Sequence, residues 1–382
     1  MYQMYASHNA VFAQPRMRAN WVRELGDKIN GGLAISGGIV YAVSFDRKLY
    51  ALDEATGSVR WSAQTDDILM STPVVAGGLV IVGTGHNGFL RPEDANSQIW
   101  GRPQGNDFLA YRSGDGHLAW QFHTPGENMP TPAIARDTVV FANGDLHAYA
   151  LTLATGQARW QTPLPGVATM AGATIVDNDV FISTCHNAPY VCETRALDIR
   201  DGHTIWTNPI GGSDCSPAAA YGLIFINGNR DDERRFHTGG IDIVAAIEKR
   251  TGRTVWTYAA EPGPYTFPES NERQIAGTIV DGVLYQPIGN ASRVIAFDAR
   301  TGRVRWNLPT WANVKMSPVV AGGHVYFGDV SGVLYKVDQR TGRVMHTSSF
   351  MQPFSTSPPI IVGNTLFIAN GSLVVAMPLD WV

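Results

Sequence analysis

The chain has 382 residues, 44% of them hydrophobic and only 16% charged, a balance that excludes a disordered or fibrous protein. Its 29 lysines and arginines against 33 aspartates and glutamates give a net charge of −4, which supplies no overall drive toward nucleic acid or anionic lipid and disfavours polyanion binding. No apolar run reaches the roughly 18 residues of a membrane span, and the start Met1-Tyr2-Gln3-Met4 has neither a basic nor an apolar targeting region. Length alone predicts two or three domains of about 150 residues each.

An internal repeat replaces that expectation. The first element, around Trp21, stands alone. Leu49-Tyr50-Ala51-Leu52-Asp53 then leads through Thr56-Gly57 to Trp61. The interval from glycine to aromatic recurs as Gly116 to Trp120, Gly156 to Trp160, Gly202 to Trp206, Gly252 to Trp256, Gly302 to Trp306 and Gly342 to His346. Successive copies lie 59, 40, 46, 50, 50 and 40 residues apart, the period of a four-stranded propeller blade. Before the motif, Pro73 to Gly83 and Pro318 to Gly328 each read as a short run, a Gly-Gly turn and an alternating run, the first two strands of a blade. The Thr-Gly segment is the turn between strands three and four. Its glycine supplies positive φ, and the aspartates Asp53, Asp198, Asp298 and Asp338 accept backbone N–H groups there. The tryptophan opens the outer strand and wedges between neighbouring blades.

Trp21 lies 40 residues before Trp61 but has no strands ahead of it, whereas residues 358–379 supply three strands with no fourth. The N-terminal strand is therefore expected to complete the last blade, which removes an open sheet edge. The prediction is an all-β, eight-bladed β-propeller of four-stranded antiparallel blades. It forms one domain over residues 1–382, with an N-terminal extension at 1–19 and the eight blades in 20–382.

The tandem Ala-x-Asp-x-x-Thr-Gly-x-x-x-Trp motif resembles the PQQ-enzyme repeat, and the resemblance covers almost the whole chain. It implies a quinoprotein-like propeller, a superfamily that includes PQQ-dependent alcohol dehydrogenases, the lipoprotein scaffold of the outer-membrane barrel-assembly machine, and tetrathionate hydrolases. The opening Tyr2 to Ala10 looks like the start that follows a signal peptide in such proteins, which implies a periplasmic or extracellular location. The dehydrogenases carry a vicinal Cys-Cys pair and a Trp-x4-Tyr-Asp signature. Neither occurs here, so the resemblance carries the fold, and PQQ with calcium belongs only to an alternative reading.

In such a blade, the interblade loops and the loops joining strands two and three share one face, opposite the Thr-Gly turns. The Thr-Gly face, with Arg250, Arg253, Arg300, Arg303, Arg340 and Arg343 beside its turns, reads as a solvated surface. The loop face carries the irregular inserts, at residues 85–107, 185–192 and 227–238, and variable loops on a rigid scaffold are where function is expected. The approaches to the innermost strands align on Gly32, Pro73, Pro132, Gly172, Pro217, Gly277, Pro318 and Pro358. Three residues earlier stand Ile29, Met70, Met129, Thr169, Asp214, Gln274, Lys315 and Ser355. Asp214, Cys215 and Lys315 are the candidate catalytic set, with Asp214 as base, Lys315 as charge partner and Cys215 as a thiol. Lys28, Met70, Glu272, Arg273 and Trp311 are candidate ligand contacts. His86, His186 and His237 occupy three loops of the same face and are a weak metal set. Cys185 and Cys192, at the ends of one excursion, form a disulfide in an oxidising compartment, or one of them pairs with Cys215.

Three functions follow. The leading one is a binding or scaffold module that takes a protein or small ligand on the loop face. The second is a PQQ-dependent alcohol or aldehyde oxidoreductase with Trp311 stacking on the quinone. The third is a cofactor-free hydrolase of the tetrathionate hydrolase kind.

Overall fold

A computed structural model describes residues 19–85, 106–168, 170–187, 190–212, 214–228, 242–260, 275–350 and 352–381. They form eight four-stranded antiparallel sheets. The described strands of blades 1 to 7 lie between residues 34 and 64, 74 and 123, 133 and 163, 174 and 208, 218 and 260, 278 and 309, and 319 and 349, in chain order from the inside outward. Blade 8 contains residues 360–378 and draws its outer strand, Trp21–Glu24, from the other end of the chain. That strand pairs antiparallel with Leu373–Pro378, Trp21 opposite Ala376 and Glu24 opposite Leu373. The ring is thus closed by hydrogen bonds between the two ends. Helix among the described residues is limited to two 3-10 turns, Gly289–Ala291 and Leu379–Trp381.

The repeat motif explains the packing residue by residue. Its alanine lies directly opposite its tryptophan across strands three and four, as Ala51↔Trp61, Ala110↔Trp120, Ala150↔Trp160, Ala196↔Trp206, Ala246↔Trp256 and Ala296↔Trp306. A methyl group there leaves the indole free to lean toward the next blade. Immediately beyond each pair the register shifts by a bulge, which sharpens the local twist. Each indole N–H then donates to a carbonyl in the next blade's Thr-Gly turn: Trp21 to Glu54, Trp61 to Ser113, Trp120 to Leu153, Trp160 to Ile199, Trp206 to Lys249, Trp256 to Ala299 and Trp306 to Gln339, at 2.8–3.0 Å.

The turn glycine answers two demands at once. At Gly302 φ is +71°, and an added Cβ would lie 2.6 Å from Trp256 Cδ2. The other six turn glycines, four of them after threonine and Gly116 and Gly202 after aspartate, meet the preceding blade's tryptophan in the same way. Glycine and tryptophan are therefore two halves of one interblade lock, which is why they recur together. Seven of the eight junctions carry it. At the eighth, blade 8 has no turn between its third and fourth strands because the chain ends meet there. Blade 7 accordingly presents an exposed His346 in place of tryptophan, opposite Lys336 in place of alanine.

Candidate functional site

The loop face is built on the ends of the second strands. The sixth residue of each second strand, or the residue just past its end, is small or polar and buried in six blades: Ser44, Thr84, Asn143, Thr184, Asp329 and Asn370, with Thr184 inside the longer strand of blade 4. Several of these tie their own loops down. Ser44 Oγ donates to Asp27 O at 3.0 Å, Thr84 Oγ1 to Asp107 O at 3.2 Å, and Asn370 Nδ2 to Gln352 O at 2.5 Å. Where the loop is short, a second device appears: a loop aspartate accepts the hydroxyl of a tyrosine on strand three, as in Asp46 with Tyr50, Asp145 with Tyr149 at 2.6 Å, and Asp329 with Tyr335 at 2.8 Å. These locks belong to blades 1, 3 and 7. The long inserts recognised in the sequence belong to blades 2, 4 and 5.

The Asp145 lock extends into a buried polar chain between blades 2 and 3. Asn128 Nδ2 donates to Thr124 Oγ1 at 2.7 Å, Asn143 Nδ2 to Asn128 Oδ1 at 3.0 Å, and the Asp145 backbone N–H to Asn143 Oδ1 at 3.1 Å. His147 Nδ1 sits 3.4 Å from Asp145 Oδ1. Burial raises the Asp145 carboxyl above the usual carboxylate value, against the opposing pull of the Tyr149 hydroxyl and of His147. This chain escaped the sequence reading because its members are scattered over 26 residues of ordinary polar sequence. The visible signal was the presence of asparagine and aspartate at the end of an otherwise apolar strand.

Blade 4's second and third strands, Asp179–Asn187 and Tyr190–Asp198, extend into a long hairpin. In it Cys185 stands opposite Cys192 with Cα atoms 4.1 Å apart, and the two are joined as a disulfide. Cys215 is the free cysteine.

Around the axis, the approaches to the innermost strands are stitched to one another. Gly32 N donates to Thr72 Oγ1 at 2.9 Å, Gly172 N to Ser216 Oγ at 2.8 Å, Thr278 Oγ1 to Pro318 O at 2.6 Å and Thr356 Oγ1 to Asn30 O at 2.6 Å. Met70 is buried in this ring and offers no free surface to a ligand. Asp214 and Lys315 are half-buried, at equivalent positions in the approaches to blades 5 and 7, and both are engaged with other groups. They are the two charged residues at that alignment position among the described residues. Cys215 is buried and accepts the Asn227 N–H at 3.3 Å. Burial, reinforced by the charges of Asp214 and Asp242, pushes its thiol up to about 12, so it holds its proton at neutral pH. This is the state of a packed thiol, not a nucleophile.

Lys28 is exposed at the rim, with its ammonium 5.5 Å from the centre of the Phe45 ring. Trp311 is 79% exposed, its backbone N–H held by the Tyr335 hydroxyl at 3.0 Å. Glu272, Arg273, His86, His237 and the side chain of His186 lie outside the described residues. Among the described residues, no three histidine, cysteine, aspartate or glutamate side chains converge as metal ligands. A quinone needs a flat slot between two walls, and a Trp311 that is 79% exposed with a packed Met70 does not form one. No step is therefore derived through PQQ or calcium. A cleft of about 400 Å³ lies on the opposite face, lined by Trp21, Asp53, Arg60 and Phe367. It belongs to the ring closure, away from the axial residues.

The family profile described as outer membrane protein assembly factor BamB matches residues 11–238 and 240–379. The chain belongs to the BamB family. Within and around it, the chain is 27% identical over 376 residues to a tetrathionate hydrolase of Acidithiobacillus ferrooxidans, covering 91% of this chain and 72% of that protein. It is 23% identical over 371 residues to BamB of Yersinia pestis, covering 91% of this chain and 74% of that protein. The solved structure of BamB from Moraxella catarrhalis superposes with a TM-score of 0.72 at 16% identity, over 95% of this chain and 99% of that one. The BamB family thus accounts for the repeat and the closed ring.

Proposed function

We propose that this BamB-family propeller is an exported hydrolase of the tetrathionate hydrolase kind, acting on a small sulfur oxyanion at the axial mouth of the loop face. The observation that carries this reading is the placement of one carboxylate and one ammonium, Asp214 and Lys315, at equivalent half-buried approaches two blades apart. The likeness to a tetrathionate hydrolase along nine-tenths of the chain supports it. In this reading Lys315 binds the sulfonate charge of the substrate, a role suited to a compact ammonium. Asp214 accepts a proton from water as its oxygen bonds to sulfur and a sulfur–sulfur bond breaks, the bonding pair leaving with thiosulfate. The Cys185–Cys192 disulfide fits an oxidising compartment. Ion chromatography of tetrathionate incubated with the purified protein tests the reading. The wild type is expected to consume it, Asp214→Asn to lose at least about a hundredfold in kcat, and Lys315→Met to raise KM. Unimpaired turnover by Asp214→Asn would overturn the assignment.

The scaffold reading is favoured by the family match and by inserts confined to one face. It replaces the first if the protein leaves tetrathionate intact and is recovered from its native envelope in stoichiometric complex with outer-membrane assembly components.

A further inference from the structure

The Thr-Gly face carries a charge asymmetry that the net charge of −4 conceals. In blades 5, 6 and 7 the turn reads Arg-Thr-Gly-Arg, at Arg250 to Arg253, Arg300 to Arg303 and Arg340 to Arg343, and all six arginines are exposed. Over the eight residues that precede each tryptophan position, at 248–255, 298–305 and 338–345, eight basic side chains stand against three acidic ones. The same windows in blades 1 to 4, at 53–60, 112–119, 152–159 and 198–205, hold four basic against five acidic.

The three acids of the basic arc are occupied by their own turns. Asp338 Oδ1 accepts the backbone N–H groups of Arg340 and Thr341, and Asp298 accepts Thr301 and Arg305. Glu248 accepts the Thr251 hydroxyl, with Arg253 Nε 3.8 Å away. The Arg300 guanidinium lies 4.8 Å from the centre of the Tyr221 ring. Arg250 and Arg303 make no side-chain hydrogen bond or ion pair among the described residues, and Arg340 acts on the Asp338 carboxylate through its charge without a side-chain hydrogen bond.

The backbone beneath these side chains is held firmly. The wedge tryptophans Trp206, Trp256 and Trp306 grip the carbonyls of Lys249, Ala299 and Gln339, whose N–H groups donate at 2.9 Å to Gly222, Gly282 and Gly323 in the adjacent turns. Three consecutive turns therefore present their arginines from one side of the disc on a rigid base. Beside them, Val255, Val304, Val344 and Met345 are exposed. Unpaired guanidinium groups spread over several turn tips and mixed with exposed apolar side chains match a surface of phosphate headgroups over hydrocarbon.

We propose that the Thr-Gly face of blades 5 to 7 docks on an anionic lipid surface, leaving the loop face turned to solvent. Each basic residue near such a surface is worth about fivefold in affinity. The test is co-sedimentation of the full chain with vesicles of phosphatidylcholine alone or mixed with phosphatidylglycerol. Binding is expected only to the mixed vesicles and is expected to weaken as salt rises. The triple variant Arg250→Glu, Arg300→Glu, Arg340→Glu should lose it by at least about a hundredfold, and Arg303→Gln with Arg343→Gln by a smaller factor, with thermal midpoints unchanged because all five side chains are exposed. Equal binding to both vesicle types, unchanged binding by the triple variant, or binding to a polyglutamate peptide without binding to vesicles would each overturn the proposal.

Discussion

Cys215 shows how far burial outweighs chemical identity. A thiol one residue from a carboxylate reads in sequence as a nucleophile beside a base, yet the same carboxylate and a dry environment hold the proton on sulfur. Folded protein at pH 8 should leave Cys215 unlabelled by a disulfide-exchange reagent, whereas unfolding without reduction should release one thiol; rapid labelling of the native state would contradict the burial argument. Asp145 makes the complementary point. Its folded pKa is raised, so the fold favours its protonated form. That contribution is present below the unfolded carboxyl value of about 3.9 and is lost as pH rises through the higher folded value. Asp145→Asn keeps an acceptor for Tyr149 and removes the titration. Its melting temperature relative to wild type should therefore climb as pH rises above the unfolded carboxyl value, and a flat difference would refute the raised pKa.

The unit that matters at the scale of elements is the lock formed by one blade's tryptophan and the next blade's glycine. Gly302→Ala must pay the left-handed backbone penalty and also displace Trp256, so a loss of about 3 kcal/mol is expected. Gly322→Ala has a similar φ, +56°, but open space around its Cβ, and should lose only about 1 kcal/mol. Urea unfolding of the two variants separates backbone strain from packing, and equal losses would mean that the indole contact contributes nothing. The lock also explains the irregular seventh repeat. His346→Trp should leave stability within about 0.5 kcal/mol, because blade 8 has no turn glycine to receive the indole. A substantial gain would show that the position had been left unfilled for another reason.

For the whole molecule, closure is the step on which the ring depends. Trp21 joins blade 8 to blade 1 through Glu54, and its strand covers the edge of Leu373–Pro378. Trp21→Ala should cost about 3–5 kcal/mol, and the protein should associate as that edge is uncovered, which light scattering during mild heating would report. The fold was legible because the lock repeats in sequence: a glycine and a tryptophan at a constant interval, together with a strand missing at one end and a surplus of three at the other, determine eight blades and the closing partner. The candidate site was legible only in its location. Alignment of the approaches picked out Asp214 and Lys315, since equivalent positions in a repeat share a radius. Sequence alone could not show that Cys215 is dry, that Met70 is packed, that Trp311 is exposed, or that Asp145 ends a buried polar chain. Those properties depend on which neighbouring blade covers each side chain. Periodicity is a local property that a chain carries along its length, so the sequence by itself determined the architecture; burial and charge pairing arise between segments about 40 to 50 residues apart, so only the closed tertiary structure decided which residues remain available for chemistry.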